Sequence, residues 1–199
     1  MQKRIISIIM PVYNVAPYLE KCVASIEQQS FPAWELLLID DGSTDGSTAL
    51  CDRLAERDER IQVIHKSNGG VSSARNAGLA QFQGEYVIFL DADDWIESDM
   101  LAELYDAAQR NGVEMACCDS YKVLQTESGE ISRTQSYKWG NIEKEKLVSG
   151  EEMYYAVFYQ SATLWNKLFR AETVRGLLFD TQMSYGEDTD FLLRTMERV

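Results

Sequence analysis

Four short apolar runs punctuate the first half of the chain: Ile5–Met10, Trp34–Ile39, Ile61–His65 and Tyr86–Leu90. Three are almost continuously apolar, as strands buried on both faces of a parallel sheet are, while Ile61–His65 alternates. Between them the period changes. Leu19, Cys22, Val23 and Ile26 recur at helical spacing, which predicts an amphipathic helix over Tyr18–Gln29, closed by Phe31-Pro32. Ser47 is placed to cap a helix reaching Arg57, with Leu50 and Leu54 inward. A third helix is expected over Ser72–Phe82. A fourth, capped by Ser98 and ended by Asn111-Gly112, puts Leu101, Leu104 and Ala108 on one face. The order β-α-β-α-β-α-β-α predicts an α/β fold whose mostly parallel sheet is flanked by helices with right-handed crossovers.

Beyond Met115 the rhythm is lost. Met115–Leu124 reads as a strand, Thr126–Ser132 as a polar turn around Gly129, and Gln135–Trp139 as its returning partner. Ser149–Tyr159 reads as an aromatic-rich helix and Trp165–Phe169 as a short strand. Gly186-Glu187-Asp188 opens a last helix carrying Phe191, Leu192 and Thr195. With no repeat or linker, one domain over 1–199 is expected, in two subregions, 1–112 and 113–199. The helical pattern still runs at Val199, so the chain is expected to be a fragment of a longer protein.

Bulk properties narrow the partners. A length of 199 residues suits one domain with a full core, and 45% apolar with 26% charged residues is ordinary for a soluble protein. The net charge of −13 argues against a nucleic-acid partner held by its phosphates, and against adhesion of this segment to anionic membranes. A phosphate ligand held by local donors and a metal stays open. No apolar run approaches the ~18–20 residues of a membrane span, and no signal peptide is evident after Met1. Adjacent Cys117 and Cys118, with Cys22, Cys51 and no C-x-x-C spacing, suggest free thiols in a reducing cytoplasm.

The polar residues that end the strands carry the chemistry. Asp91, Asp93 and Asp94 follow Tyr86–Leu90 directly. Crowded carboxylates raise one another's pKa, and a divalent cation is the usual remedy. Taken alone, the stretch reads first as a turn and cap before the next helix, and the rest of the chain shifts the balance. The other strand ends supply Pro11-Val12-Tyr13-Asn14, Asp40-Asp41-Gly42 and Lys66-Ser67-Asn68-Gly69-Gly70. Tyr13 can stack on a base or belong to the core. Asp41 can accept from a base N–H or a ribose hydroxyl, or simply form a turn. Asn68, Gly69 and Gly70 let backbone approach a ligand, and Arg75 on the next helix can reach a phosphate or lie at the surface. His65 reads as structural. Glu187 and Asp188 suit a helix N-terminus for electrostatic reasons, yet a site with an activated phosphate donor still needs a base.

The motifs SIIMPVYN from Ser7, LIDDGSTD from Leu38, NGGVSSARN from Asn68, FLDADD from Phe89, WNKLF from Trp165 and GED from Gly186 together resemble the signatures of family 2 glycosyltransferases. The resemblance runs nearly the whole chain in the family's order. It implies a GT-A fold and an inverting transfer from a nucleotide-sugar, usually a UDP-sugar, to a saccharide or lipid-linked saccharide acceptor in cell-surface polysaccharide synthesis. On this pattern Tyr13 and Asp41, with the Pro11–Asn14 loop, hold the nucleoside. Asp93, with Asp91 and Asp94, binds Mg²⁺ or Mn²⁺ on the diphosphate. Asp188 is the catalytic base with Glu187 beside it, and Trp165 and Lys167 lie towards the acceptor. The implied location is cytoplasmic, at the inner face of the membrane where segments outside this chain hold it there.

The residues agree with that mechanism on their own terms. The diphosphate is a good leaving group whose developing charge needs neutralising. One base and no protein nucleophile mean a single displacement with inversion. A sugar nucleotidyltransferase would carry a glycine- and arginine-rich loop where Pro11–Asn14 stands. A receiver domain would end its third strand in Asp rather than at His65-Lys66. A nucleotide-sugar binder without activity stays open, with Asp93 and Asp188 arguing against it. Dinucleotide chemistry lacks its G-x-G-x-x-G.

Overall fold

The computed structural model describes residues 4–125, 131–135, 147–155 and 162–199. The first half follows the expected alternation: β1 (Ile6–Val12), α1 (Ala16–Glu27), β2 (Trp34–Asp40), α2 (Ser47–Arg57), β3 (Ile61–His65), α3 (Val71–Leu79), β4 (Tyr86–Phe89) and α4 (Met100–Asn111). Then come β5 (Met115–Cys117), β6 (Tyr121–Gln125), β7 (Ile131–Gln135), α5 (Gly150–Tyr155), β8 (Lys167–Arg170), α6 (Ala171–Val174) and α7 (Glu187–Met196). The expected turn around Gly129, the residues after Gln135 in the returning strand, and the end of the aromatic-rich helix past Tyr155 lie outside the described residues.

Six strands form one sheet in the order β3-β2-β1-β4-β8-β5, and β6 and β7 form a separate hairpin. The first four strands are parallel, whereas β8 runs antiparallel to both β4 and β5. Helices cover both faces, so alternate residues of one strand enter different cores. Ile6, Ile8, Met10 and Val12 meet α1, α2 and α4, while Ile9 joins Leu37, Ile39, Phe89, Phe191 and Leu192 under α3 and α7. Each such side chain contributes about 1.5–3 kcal/mol by leaving water. The α3 helix comes close enough to β1 that a Cβ at Gly78 would lie 2.5 Å from Ile9 Cγ2.

Several boundaries differ from the expectation, each for a local reason. β1 runs through Pro11 to Val12. Pro11 has no N–H to give, but its nitrogen faces the β4 side, where β4 has already ended at Phe89, so no ladder bond is lost. Ser47 is the first residue of α2 and caps nothing: the cap is Gly46 at φ 100°, and Ser47 Oγ instead accepts from Val15 N–H (3.0 Å) and donates to Asp45 (2.6 Å). Ser98 yields the cap of α4 to Asp99. The strand expected over Met115–Leu124 breaks at residues 118–120, where Cys118 turns to bond Asn166 O. Ser132 lies in β7, so the hairpin returns earlier than expected. Among the described residues no helix is long and apolar enough to cross a membrane. The four cysteines are unpaired, with Cys51 and Cys118 pushed up to about 12 by burial, then by nearby negative groups.

Candidate active site

The carboxyl ends of β1, β2, β3 and β4 deliver the four expected segments to one edge of the sheet. Tyr13 leaves β1 with half its surface exposed, its ring free to stack. Asn14 follows at φ 54°, a left-handed conformation Asn tolerates, and its Oδ1 accepts from Thr44 N–H at 2.8 Å. The β1 and β2 loops are thereby tied together. Asp40 is buried and fully engaged by Ser43 N–H (3.0 Å), Thr48 Oγ1 (2.8 Å) and His65 Nδ1 (3.0 Å). Burial raises its carboxyl, and these hydrogen bonds outweigh burial and hold it below the usual range. His65 is structural, as expected, its other ring nitrogen 2.9 Å from Asp52.

Asp41 is buried too, and its carboxylate folds the glycine loop around itself. It accepts from Gly69 N–H (3.0 and 3.1 Å), Gly70 N–H (2.7 Å) and the Lys66 ammonium. Gly70 sits at φ 84°, ψ 168°, a region essentially reserved for glycine. Lys66 was not singled out from sequence; a lysine placed to neutralise the buried Asp41 was the available signal.

Arg75 is the hub of the site. It lies on α3 with its guanidinium almost wholly buried, and reaches carboxylates from two distant segments. Nη1 is 2.6 Å from Asp188 Oδ1 and 3.4 Å from Glu187 Oε1, and Nη2 is 3.3 Å from Asp91 Oδ1. The structure thus pairs Arg75, expected from sequence either to reach a phosphate or to lie at the surface, with three carboxylates and buries it. Aromatic packing sets this geometry. Phe89, two residues before Asp91, meets Phe179 and Phe191 edge-on at 5.4 and 5.6 Å, and Phe191 lies three residues after Asp188. Asn76 clasps Phe179 through both backbone groups at 2.9 and 2.7 Å.

Three acids of this edge, Asp91, Asp94 and Asp188, are raised above their ordinary values. Burial, opposed by Arg75, raises Asp91; Asp93 and Glu187 add repulsion. Asp188 is raised by burial in the same way, again against Arg75, with Glu187 and Asp91 contributing. Asp94 opens to solvent on one side, yet loss of water on the other, then Asp91 and Asp93, raise it to about 6. Among the described residues no three His, Cys, Asp or Glu converge as a finished metal nest. Exposed Asp93 and Asp94 are hard oxygen donors under mutual repulsion. They fit a divalent cation that takes most of its ligands from a bound diphosphate.

The two residues expected to lie towards an acceptor part company. Trp165 lines a groove of about 940 Å³ that also includes Asp93 and Asp94. Lys167 is completely buried, its Nζ donating to Thr163 O (2.6 Å) and Asn166 Oδ1 (2.8 Å). Burial pushes its ammonium down, opposed by Cys117, Cys118 and Asp188. It braces the 163–167 segment from inside and presents nothing at the surface.

Comparison with known proteins gives the same placing. Residues 7–180 match the family described as Glycosyl transferase family 2. The uncharacterized glycosyltransferase EpsJ of Bacillus subtilis is 35% identical over 205 residues, covering 98% of this chain and 58% of that protein. The S. aureus TarS 1-349 structure in complex with UDP-GlcNAc superposes with a TM-score of 0.76 at 23% identity, covering 96% of this chain and 53% of that one. The mannosyltransferase PcManGT from Pyrobaculum calidifontis, in complex with GDP-Man and Mn²⁺, gives 0.67 at 20% identity, over 98% and 52%. The chain therefore spans little more than half of each, and the two structures speak for the fold. With the family match extending over most of its length, the chain belongs to glycosyl transferase family 2 and has the GT-A fold.

Proposed function

We propose that this chain is the catalytic part of an inverting glycosyltransferase, moving a sugar from a UDP-sugar to a hydroxyl of a saccharide or lipid-linked saccharide in cell-surface polysaccharide synthesis. The observation that carries the reading is the Arg75 bridge, which holds Asp188 within one guanidinium of Asp91 although 97 residues separate them in sequence. Transfer breaks the bond from the anomeric carbon to the diphosphate and makes one to the acceptor oxygen, whose proton passes to Asp188. A base works best when its pKa approaches the working pH, and burial moves Asp188 in that direction. Exposed Tyr13 would stack on the base, and the ordered Asp41–Gly70 unit would support the nucleoside beside it. Asp93, helped by Asp91 and Asp94, would hold Mg²⁺ or Mn²⁺, which when bound neutralises charge developing on the leaving diphosphate. Neighbouring folds solved with UDP-GlcNAc, and with GDP-Man and Mn²⁺, support the donor class.

The test is a melting scan of nucleotides and nucleotide-sugars with and without Mn²⁺. UDP with Mn²⁺ raises the melting temperature, and Asp93→Ala removes most of that rise. A protein that no nucleotide stabilises, with or without metal, is not this enzyme.

A further inference from the structure

The groove beside Asp93 and Asp94 runs from the chain after β4 to the β6–β7 hairpin, and at about 940 Å³ it is at the large end for small-molecule sites. Its lining is lopsided in charge. Among the described residues six carboxylates face it: Asp93, Asp94, Glu97, Asp99, Glu103 and Asp119. Against them stand Lys122 and Arg133, and Arg133 is already paired with Glu97 at 3.1 Å. Three aromatic rings also line it, those of Trp95, Trp165 and half-exposed Tyr121. Lys21 caps Trp95 with its ammonium 3.3 Å from the ring centre, fixing that ring in place.

One polar group there is left over. Ser120 is nine-tenths buried and lines the groove, and its hydroxyl has no hydrogen-bond partner among the described residues. Buried hydroxyls rarely stay unpaired, so an orphan on a groove wall marks where a ligand's hydrogen bond is missing. Rings for stacking, an unpaired hydroxyl and scattered carboxylate acceptors match a sugar, which offers apolar C–H faces and many O–H donors.

We infer that this groove takes the acceptor, and that its acidic lining selects a neutral or amine-bearing saccharide and rejects one carrying a carboxylate or phosphate on the residues that enter it. The inference rests on the proposed transferase activity and adds the substrate class. The discrimination is a matter of repulsion. An anion in the groove meets several like charges within the ~8 Å over which salt screens poorly, while a neutral sugar meets none.

Matched oligosaccharides test it: glucose-containing, glucosamine-containing and glucuronate-containing chains of one length, with binding read by saturation-transfer NMR and transfer by UDP release. We expect the glucuronate chain to bind at least about tenfold more weakly than the neutral one. Asp99→Asn with Glu103→Gln narrows that gap and leaves the UDP melting shift in place. Ser120→Ala weakens the neutral chain and also spares the shift. Equal or tighter binding of the glucuronate chain, or a gap that the double substitution does not change, overturns the groove assignment. Loss of the UDP shift in the unaltered protein instead overturns the transferase reading, so the two failures are told apart.

Discussion

At the amino end of the sheet Glu35 lies with no side-chain surface exposed, yet its partners are complete. Ser7 Oγ is 2.5 Å away, Gln83 N–H 2.7 Å and Arg4 Nη1 2.8 Å. At the carboxyl end Asp91, Glu187 and Asp188 share one buried arginine, and Asp91, Asp94 and Asp188 are pushed up by lost water and by neighbouring carboxylates. The contrast separates two uses of a carboxylate. A buried acid with full partners fixes strands in place. Acids left in mutual repulsion at the ligand-binding edge are poised for something brought from outside.

The largest expected effect is at the carboxyl end. Asp188→Asn keeps the shape and the contact with Arg75 but removes the proton acceptor. Transfer should fall by about 10²–10⁴, with the UDP melting shift retained. Unchanged turnover would take the base away from this residue. The amino end should answer in the opposite currency. Glu35→Ala strands the Ser7 hydroxyl and the Gln83 N–H in the interior and should cost roughly 2–4 kcal/mol in urea unfolding. The surviving folded protein should still bind UDP with Mn²⁺. Selective loss of UDP binding there, without loss of stability, would erase the distinction between the two ends.

Much of this was legible in the chain. Continuous apolar runs announced β1, β2 and β4 because both faces of the sheet are covered, and the acids after them fell where α/β sheets bind ligands. Glu35 was invisible. It stands second in an otherwise apolar run, and its partners come from 28 to 48 residues away along the chain. Arg75 was found, but its carboxylate partners were not foreseen, since nothing local says that α7 comes back over α3. The antiparallel entry of β8 between β4 and β5 was unreadable for the same reason: strand order depends on long-range packing, not on the strand's own residues. Lys167 looked like a surface contact because lysine seldom goes under without a partner, and among its partners are a carbonyl and an amide that only the folded loop supplies.

Asp94 gives a smaller and more particular handle on the carboxyl end. Its value of about 6 lies above the ordinary 3.8, so ionising it opposes folding. The favourable contribution of its protonated form is complete below pH 3.8 and is lost as pH rises through 6. Asp94→Asn should therefore stabilise the protein above pH 6 and change little near pH 4. Because the side chain meets solvent, screening reduces the gain to about 1 kcal/mol. Melting curves at the two pH values check this, and UDP with Mn²⁺ should shrink the gain, since the wild-type carboxylate then has its counter-charge.

The smallest effect belongs to Asp40, a carboxyl-end acid that behaves like Glu35. Its bonds to Ser43, Thr48 and His65 hold it below 3.8, so its contribution is present above that pH and lost as pH falls through its folded value. His65 is raised above 6.5 by its hydrogen bonds to Asp40 and then Asp52, so its contribution is complete below 6.5 and fades as pH rises through the folded value. The clasp thus works best between those limits. His65→Gln should cost about 0.5 kcal/mol at pH 5.5, the scale of a half-exposed ion pair, and less at pH 8.5. Calorimetric melting at both values decides it. A cost that instead grows with pH, or a lost UDP shift, would put His65 and Asp40 with the ligand-facing acids and not with the structural ones.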